Sequence, residues 1–417
     1  MSPRRSTRLP EIDNELGRRV RVFRKRRGLS LEVVAGLAGI TKQYLSLIER
    51  GERRISDRRM LSDICDAIGC SIVDVTGEPY LPADRDAAGA LATIPPIQLA
   101  LLDCDLEDVP DHPVPPIQQL EQAVREAHLH CDHTRYEISG RVLGQVLVDL
   151  QVIVATGDEQ QQRRALTALV EACKIACAIS KNMGHPQIGV AAATRGLEAA
   201  RRLGDPALLG YARWYYSLVL LRIGARRRAT SILSTALNDL AAVDDPSAPR
   251  PLASEVYGMV QLTSALGAAR SGHTDQARSH LAEARALAER TGERNNLFMH
   301  FGPTNVRAWT LSIGAELGEG GAALEQVQPD SVDLSAFAGS PNRVAGWHYE
   351  LARALAQEGG SRDFEAVRHL DIAERTAPQW MHHEPMAREL LFQLNGRART
   401  TQWELSSLRN RFGVHSN

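Results

Sequence analysis

Residues 16 to 77 read LGRRVRVFRKRRGLSLEVVAGLAGITKQYLSLIERGERRISDRRMLSDICDAIGCSIVDVTG, and this stretch decides the fold. Five short helical patterns follow one another with tight breaks. Arg18 to Arg27 is the first, stopped by Gly28. Ser30 is placed to cap Leu31 to Ala38, because its hydroxyl can accept from an orphan amide of the first turn. Gly39 supplies the next turn, where a residue without Cβ adopts positive φ at little cost. Thr41 caps Lys42 to Arg50, which Gly51 ends. Asp57 to Ile68 is closed by Gly69, and Ile72 to Val75 follows Ser71. Val20, Phe23, Val34, Leu37, Ala38, Leu45, Ile48, Leu61, Ile64 and Ile68 recur at helical spacing, as the core of a small bundle would. Ala35 is small where two crossing helices must touch.

The order of these pieces resembles the helix-turn-helix domain of the Cro and lambda-repressor type, the XRE family. The Arg-rich first helix, Gly28-Leu29-Ser30, Leu37-Ala38-Gly39-Ile40, Leu45 to Gly51 and Ala67 to Ser71 carry the resemblance. It implies that the third helix enters the major groove of a double-stranded DNA operator. Lys42, Gln43 and Ser46 would then face base edges, with Tyr44 and Leu47 close by. Gln can pair with adenine and Lys can donate to guanine. Arg24, Thr41, Arg50, Arg53, Arg54 and Arg58 lie where phosphates are expected, positioning the domain without reading sequence. Leu31 stands where the family usually carries Gln, which shifts phosphate clamping toward the arginines.

The chain has 417 residues, too many for that bundle alone. Its net charge of −1 is unevenly spread: residues 1 to 80 carry 16 Lys or Arg against 11 Asp or Glu, and the remainder is acidic. A basic head on an acidic body suits a DNA reader joined to a sensing or assembly module. Lysine is confined to Lys25, Lys42, Lys174 and Lys181, an arginine bias expected of a GC-rich, actinobacterial genome. The six cysteines form no disulfide framework, and a reduced cytoplasmic protein is expected. No apolar run of membrane-spanning length and no signal core stand out, so no membrane partner is expected.

Residues 1–10 are expected to be a basic arm and 11–77 the DNA-binding domain. Residues 78–116, with eight prolines, read as a linker able to alter head spacing. From 117 to 417 the pattern is helical throughout, cut by Gly- and Pro-containing turns into helix pairs. The second helix of each pair repeats one spacing: Ala193, Leu197, Ala200; Ala229, Leu233, Ala236; Ala277, Leu281, Ala284; Ala366, Leu370, Ala373, with a degenerate copy near Ala323. The pattern resembles tetratricopeptide repeats, with longer and less regular intervals. The fold expected is therefore all-α, a five-helix helix-turn-helix domain followed by a tetratricopeptide-like α-solenoid; a non-repetitive bundle is the alternative.

Aromatic and polar residues cluster on first helices of pairs. Arg213, Tyr216, Asn305, Arg307, Trp309 and Asn342 are the candidate effector-binding residues. Asn can pair with a peptide amide, Arg with a carboxylate. Core packing is the competing reading for the aromatics. His128, His130, Cys131 and His133 are dense, yet lack a second ligand pair at metal spacing, so no metal and no cofactor is expected. The layout is similar to peptide-sensing regulators of Gram-positive bacteria of the Rgg and PlcR type, and to actinobacterial XRE regulators through Phe301 to Val306. That resemblance implies a homodimeric, cytoplasmic transcription factor with a peptide or small-molecule effector bound by the repeats. A DNA-binding protein whose repeats only scaffold other proteins is the alternative. No catalytic constellation points to an enzyme.

Overall fold

A computed structural model of the chain describes residues 15–55, 57–77, 85–248, 251–337, 339–398 and 403–413; the expected basic arm, residues 1–10, lies outside them. The chain divides into two compact units, one made of Met1–Gly77 with Pro385–Asn417, the other of Glu78–Glu384. Every regular element among the described residues is helical.

The first unit contains α1 (Glu15–Arg26), α2 (Leu31–Leu37), α3 (Lys42–Arg50), α4 (Arg58–Ile68) and α5 (Ile72–Thr76). Each later start is fixed locally. Ser30, Thr41, Asp57 and Ser71 accept the amides of Val33, Tyr44, Met60 and Asp74 at 3.2, 3.1, 2.8 and 3.0 Å. Val20, Val34, Ala35, Leu45, Ile48, Leu61, Ile64 and Ile68 close the core. Leu37 departs from the expected core and is 68% exposed. The inward stripe of α2 is Val34, Ala35 and Ala38, and Leu37 lies roughly a quarter-turn away from it.

Two elements from the far end of the chain complete this unit, α21 (Pro385–Arg397) and α22 (Trp403–Arg411). They bury Leu390, Leu391, Leu394, Leu405 and Leu408. The expected boundary, with everything from 117 to 417 in the repeats, is therefore corrected: the array ends at Glu384.

The second unit begins inside the expected linker. Its helices are α6 (Arg85–Leu91), α7 (Ile94–Leu102), α8 (Ile117–Asp132), α9 (Tyr136–Thr156), α10 (Glu159–Asn182), α11 (Pro186–Leu203), α12 (Pro206–Arg222) and α13 (Arg226–Ala241). They continue with α14 (Leu252–Arg270), α15 (Thr274–Thr291), α16 (Pro303–Leu317), α17 (Gly320–Val327), α18 (Pro341–Glu358), α19 (Asp363–Thr376) and α20 (Pro378–His382). Residues 85–102 are not a spacer: Ala90, Ile94 and Ile97 are buried in the main core with Leu143 and Leu147 of α9. The prolines permit this because Pro95 and Pro96 fall in the first turn of α7, where the missing N–H has no helical partner to lose. Gly144 of α9 lets Pro96 approach so closely that a Cβ there would lie 2.9 Å from the proline Cβ. Pro79 and Pro82 lie outside the described residues.

The remaining helices form neighbouring pairs, α10 with α11, α12 with α13, α14 with α15, α16 with α17 and α18 with α19. The Ala-Leu-Ala spacing lies on the second helix of four of these pairs, and all twelve residues are buried. Ala323, the degenerate copy, is buried on α17. Small side chains allow close approach while the leucines fill the space between pairs. Helix α9 is long and apolar enough to cross a membrane, which the sequence pattern had not suggested, but two-thirds of it is buried in the fold, against α7, α8 and α10.

Candidate nucleic-acid interface and effector site

Between α2 and α3 the chain turns through 109°, within the range of two-helix DNA-binding motifs. Gly39 takes φ +66° in this turn, with open space around its missing Cβ, so only the backbone conformation requires glycine. The Thr41 cap fixes the start of α3. Beside it Thr41, Lys42 and Gln43 are exposed, while Tyr44, Ser46 and Leu47 are half-buried. Lys42 is bonded to Glu32 of α2, an exposed pair that a nucleic acid could open. Arg50 donates to Ser46 Oγ at 2.6 Å and to Glu52 Oε1 at 2.5 Å.

Residues 15–76 match the helix-turn-helix domain family. No curated protein matches the chain. One solved structure, the crystal structure of Bacillus thuringiensis PlcR in complex with the peptide PapR7 and DNA, is similar at 13% identity and a TM-score of 0.28, over 66% of this chain and 95% of that one.

Within the helix-turn-helix domain the expected phosphate contacts split in two. Arg50 and Arg53 are exposed and fit that role. Arg24 does not. Its Nε and Nη2 meet Glu49 at 2.5 and 2.7 Å, its Nη1 meets the Leu29 carbonyl at 2.8 Å, and it is 8% exposed. The Glu49 carboxylate holds the guanidinium above its ordinary value, and the bidentate contact braces α1 against α3. Arg54 lies on the Phe392 ring at 4.4 Å, 3.8 Å from Glu389 Oε1, with its side chain mostly covered. Arg58 is also buried. Arg24 and Arg54 are thus covered by Glu49, Glu389 and Phe392, and none of the three arginines is held out toward solvent. Helix α1 presents Arg18, Arg21, Lys25 and Arg26 instead, a cationic surface that the Arg-rich first helix already signalled.

The expected effector residues do not form one surface. Asn305 and Arg307 are two positions apart on α16, so they face nearly opposite ways. Asn305 is 1% exposed and donates to the Met299 carbonyl at 3.4 Å, whereas Arg307 is exposed. Arg213 is turned toward α13, where it pairs with Asp239 at 2.5 Å. Tyr216 and Trp309 are half-buried against the core, and Asn342 is half-buried at the start of α18.

What the array gathers instead is the segment Asn295 to His300, between α15 and α16. Tyr211 of α12 donates its hydroxyl to the Leu297 carbonyl at 3.3 Å. Glu255 of α14 accepts from the Asn296 amide at 3.0 Å and from its side chain. Arg343 of α18 donates to the Met299 carbonyl at 2.9 Å. His128 of α8 lies against Phe298 with ring centroids 4.4 Å apart. Asp132, also on α8, receives His300 Nε2 at 3.2 Å and Ser340 Oγ at 2.9 Å. Leu297, Phe298 and His300 take φ of 51°, 54° and 52°, the left-handed region, at about 1 kcal/mol or more each. Phe301 follows, packed where Gly258 leaves room: a Cβ at Gly258 would lie 2.1 Å from the ring.

The charges around this segment are strongly conditioned. Burial, then the neighbouring Lys174, pushes His128 well below its ordinary value, so its Nε2 accepts from the Lys174 ammonium at 2.7 Å. Burial also lowers Lys174 and Arg343. Burial raises the Asp132 carboxyl, but His300, Ser340 and Arg343 outweigh it and hold it below the usual range. Among the described residues no cluster of three or more His, Cys, Asp or Glu is placed to hold a metal ion. Tyr211, Glu255 and Lys174 were not among the residues the sequence singled out, whereas Arg343 stands beside the candidate Asn342 in the polar cluster that opens α18. Tyr211 and Glu255 lie on the apolar helices α12 and α14, the one local signal they carry.

Elsewhere in the array a concavity of about 410 Å³ lies between α18 and α19, beside Trp347, His348, Leu351, Arg368 and His369. There His348 and His369 stack with Nδ1 atoms 2.9 Å apart, and burial together with the second imidazole lowers His348 to about 4.

Proposed function

We propose that this chain is a sequence-specific DNA-binding transcriptional regulator, acting as a homodimer, whose helical array senses a peptide or small-molecule effector. The observation that carries the DNA-binding part is the start of α3. Thr41 caps it, the 109° turn sets it apart from α2, and Lys42 and Gln43 stand exposed at its first turn. In this reading Gln43 and Lys42 address base edges, with Tyr44, Ser46 and Leu47 flanking them. Thr41, Arg50 and Arg53, together with Arg18, Arg21 and Lys25 of α1, address phosphates. The family match over residues 15–76 supports the same reading. Two-fold operators call for two heads, which is the ground for the homodimer. The effector reading rests on the polar and strained surroundings of residues 295–300.

Operator selection from random duplexes, followed by titration of Gln43→Ala, tests it. The substitution is expected to cost about 1–3 kcal/mol on the selected site and little on random DNA. Equal losses on both would remove Gln43 from base reading, and no enrichment from the random pool would sink the regulator reading. Light scattering of the full chain at micromolar concentration is expected to give the dimer mass, and a monomer there would sink the homodimer.

A further inference from the structure

The bonds that hold residues 295–300 are unusual in their targets. Tyr211, Glu255, Asn305 and Arg343 come from α12, α14, α16 and α18, and each reaches a main-chain atom of the segment. Side chains that address backbone amides and carbonyls accept any chain of the right path, which is how peptide sites gain affinity without depending on sequence. Specificity comes from the three places where side chains are read: Glu255 at the Asn296 side chain, the imidazole face of His128 under Phe298, and Asp132 under His300.

The occupant fits imperfectly. Three of its residues are left-handed without being glycine. The Arg343 guanidinium has only a neutral carbonyl as acceptor from the segment, and its Nε has no hydrogen-bond partner among the described residues. A carboxylate would satisfy such a half-buried guanidinium far better, through two charge-assisted bonds.

We propose that the surface formed by α8, α12, α14, α16 and α18 is a peptide-binding site, that residues 295–300 are its resident occupant, and that a short peptide with an aromatic side chain and a free carboxylate displaces them. The proposal deepens the effector reading and rests on it. The carboxylate takes the place of the Met299 carbonyl against Arg343 and Asn305. The aromatic ring takes the place of Phe298 against His128. Displacement relieves the left-handed residues, so a peptide free to choose its own backbone starts with an advantage over the tethered segment. The tether favours the segment in turn through its high effective concentration, which keeps the site closed when no peptide is present.

The test uses the full chain and a synthetic peptide with the sequence of residues 295–299, labelled at its amino end. It is made once with a free carboxylate and once as the amide. The free acid is expected to bind about tenfold tighter than the amide. Asn296→Ala, which loosens the resident segment, should raise affinity for the free acid several-fold, and Arg343→Met should erase the difference between acid and amide. Equal affinities for the two peptides, or no binding to either wild type or Asn296→Ala, overturn the proposal. Hydrogen exchange of unmodified wild type guards against variants that fail to fold. Amides of 296–300 should open well before those of α14, and exchange only with global unfolding overturns the proposal. A chain that takes the peptide with unchanged operator affinity sustains the site and overturns only its regulatory role, while failure to find an operator leaves the site standing.

Discussion

Each unit of this protein draws a guanidinium in among its helices, Arg24 buried and Arg343 half-buried, and the two are treated differently. In the DNA-binding unit Arg24 meets a carboxylate with two nitrogens and a carbonyl with a third, and Glu49 raises it above its ordinary value. In the array Arg343 meets a carbonyl with one nitrogen, and burial lowers it. A charge matched by a fixed opposite charge is a brace. A charge whose hydrogen bond goes to a neutral, strained neighbour, with Asp132 acting on it only at longer range, is available for something else. The contrast extends outward: the first unit keeps its working charges on the surface of α1 and α3, whereas the array gathers polar groups inside, around residues 295–300.

The largest effect should come from removing one half of the brace. Arg24→Ala leaves Glu49 buried without its partner and is expected to cost about 3–5 kcal/mol, read as a lowered unfolding midpoint of the DNA-binding unit. A loss below about 1 kcal/mol would place Arg24 among ordinary surface arginines.

The next concerns pH. Burial pushes the Glu389 carboxyl up to about 7, against the pull of Arg54 and Arg388. A raised carboxyl favours the protonated form in the folded state. Its contribution is therefore full below about pH 4.5 and is lost as pH rises through 7. The change amounts to roughly 3 kcal/mol for such a shift. Chemical denaturation at pH 5.5 and 8 should show the unit less stable at the higher pH, and Glu389→Gln should flatten the difference. A wild-type profile that rises from pH 5.5 to 8 would contradict this.

In the array, Gly258→Ala places a methyl against the Phe301 ring and should cost about 1–3 kcal/mol by overpacking. Unchanged thermal stability would mean that Phe301 shifts without penalty. The smallest effect on stability belongs to Arg53→Ala, within about 0.5 kcal/mol, because the side chain is exposed. Its signature is in DNA binding: the logarithmic salt slope should fall by about one, alike for specific and random duplexes. A slope identical to wild type would remove Arg53 from the phosphate contacts.

What the sequence disclosed follows from the range of the interactions involved. Ser30, Thr41 and Gly39 act on residues three or fewer positions away, so the caps and the turn of the DNA-binding unit could be read directly. The alternation of Ala and Leu on second helices is also local, and it marked the pairs of the array. Residues 85–102 were misread because prolines stop helices only in their interior, and these stand in a first turn. That Arg24 and Arg54 are covered was not legible, because Glu49, Glu389 and Phe392 are distant in sequence; a linear pattern does not reveal which arginine a distant partner will cover. The same limit hid the polar surroundings of residues 295–300, whose members come from six separate helices and meet only after folding.

Arg54 and Glu389 stand nearly the whole length of the chain apart, yet belong to one compact unit. On the ribosome, the N-terminal helices would emerge early and then wait for the entire array to be made before α21 and α22 could join them. Closing so long a loop is entropically slow to begin, and until it closes Arg54 lacks its ring and its carboxylate. A chain released early, or clipped near residue 384, would carry the whole α3 surface while lacking the helices that finish its unit. Completion of the DNA-binding head thus reports that synthesis has passed α22.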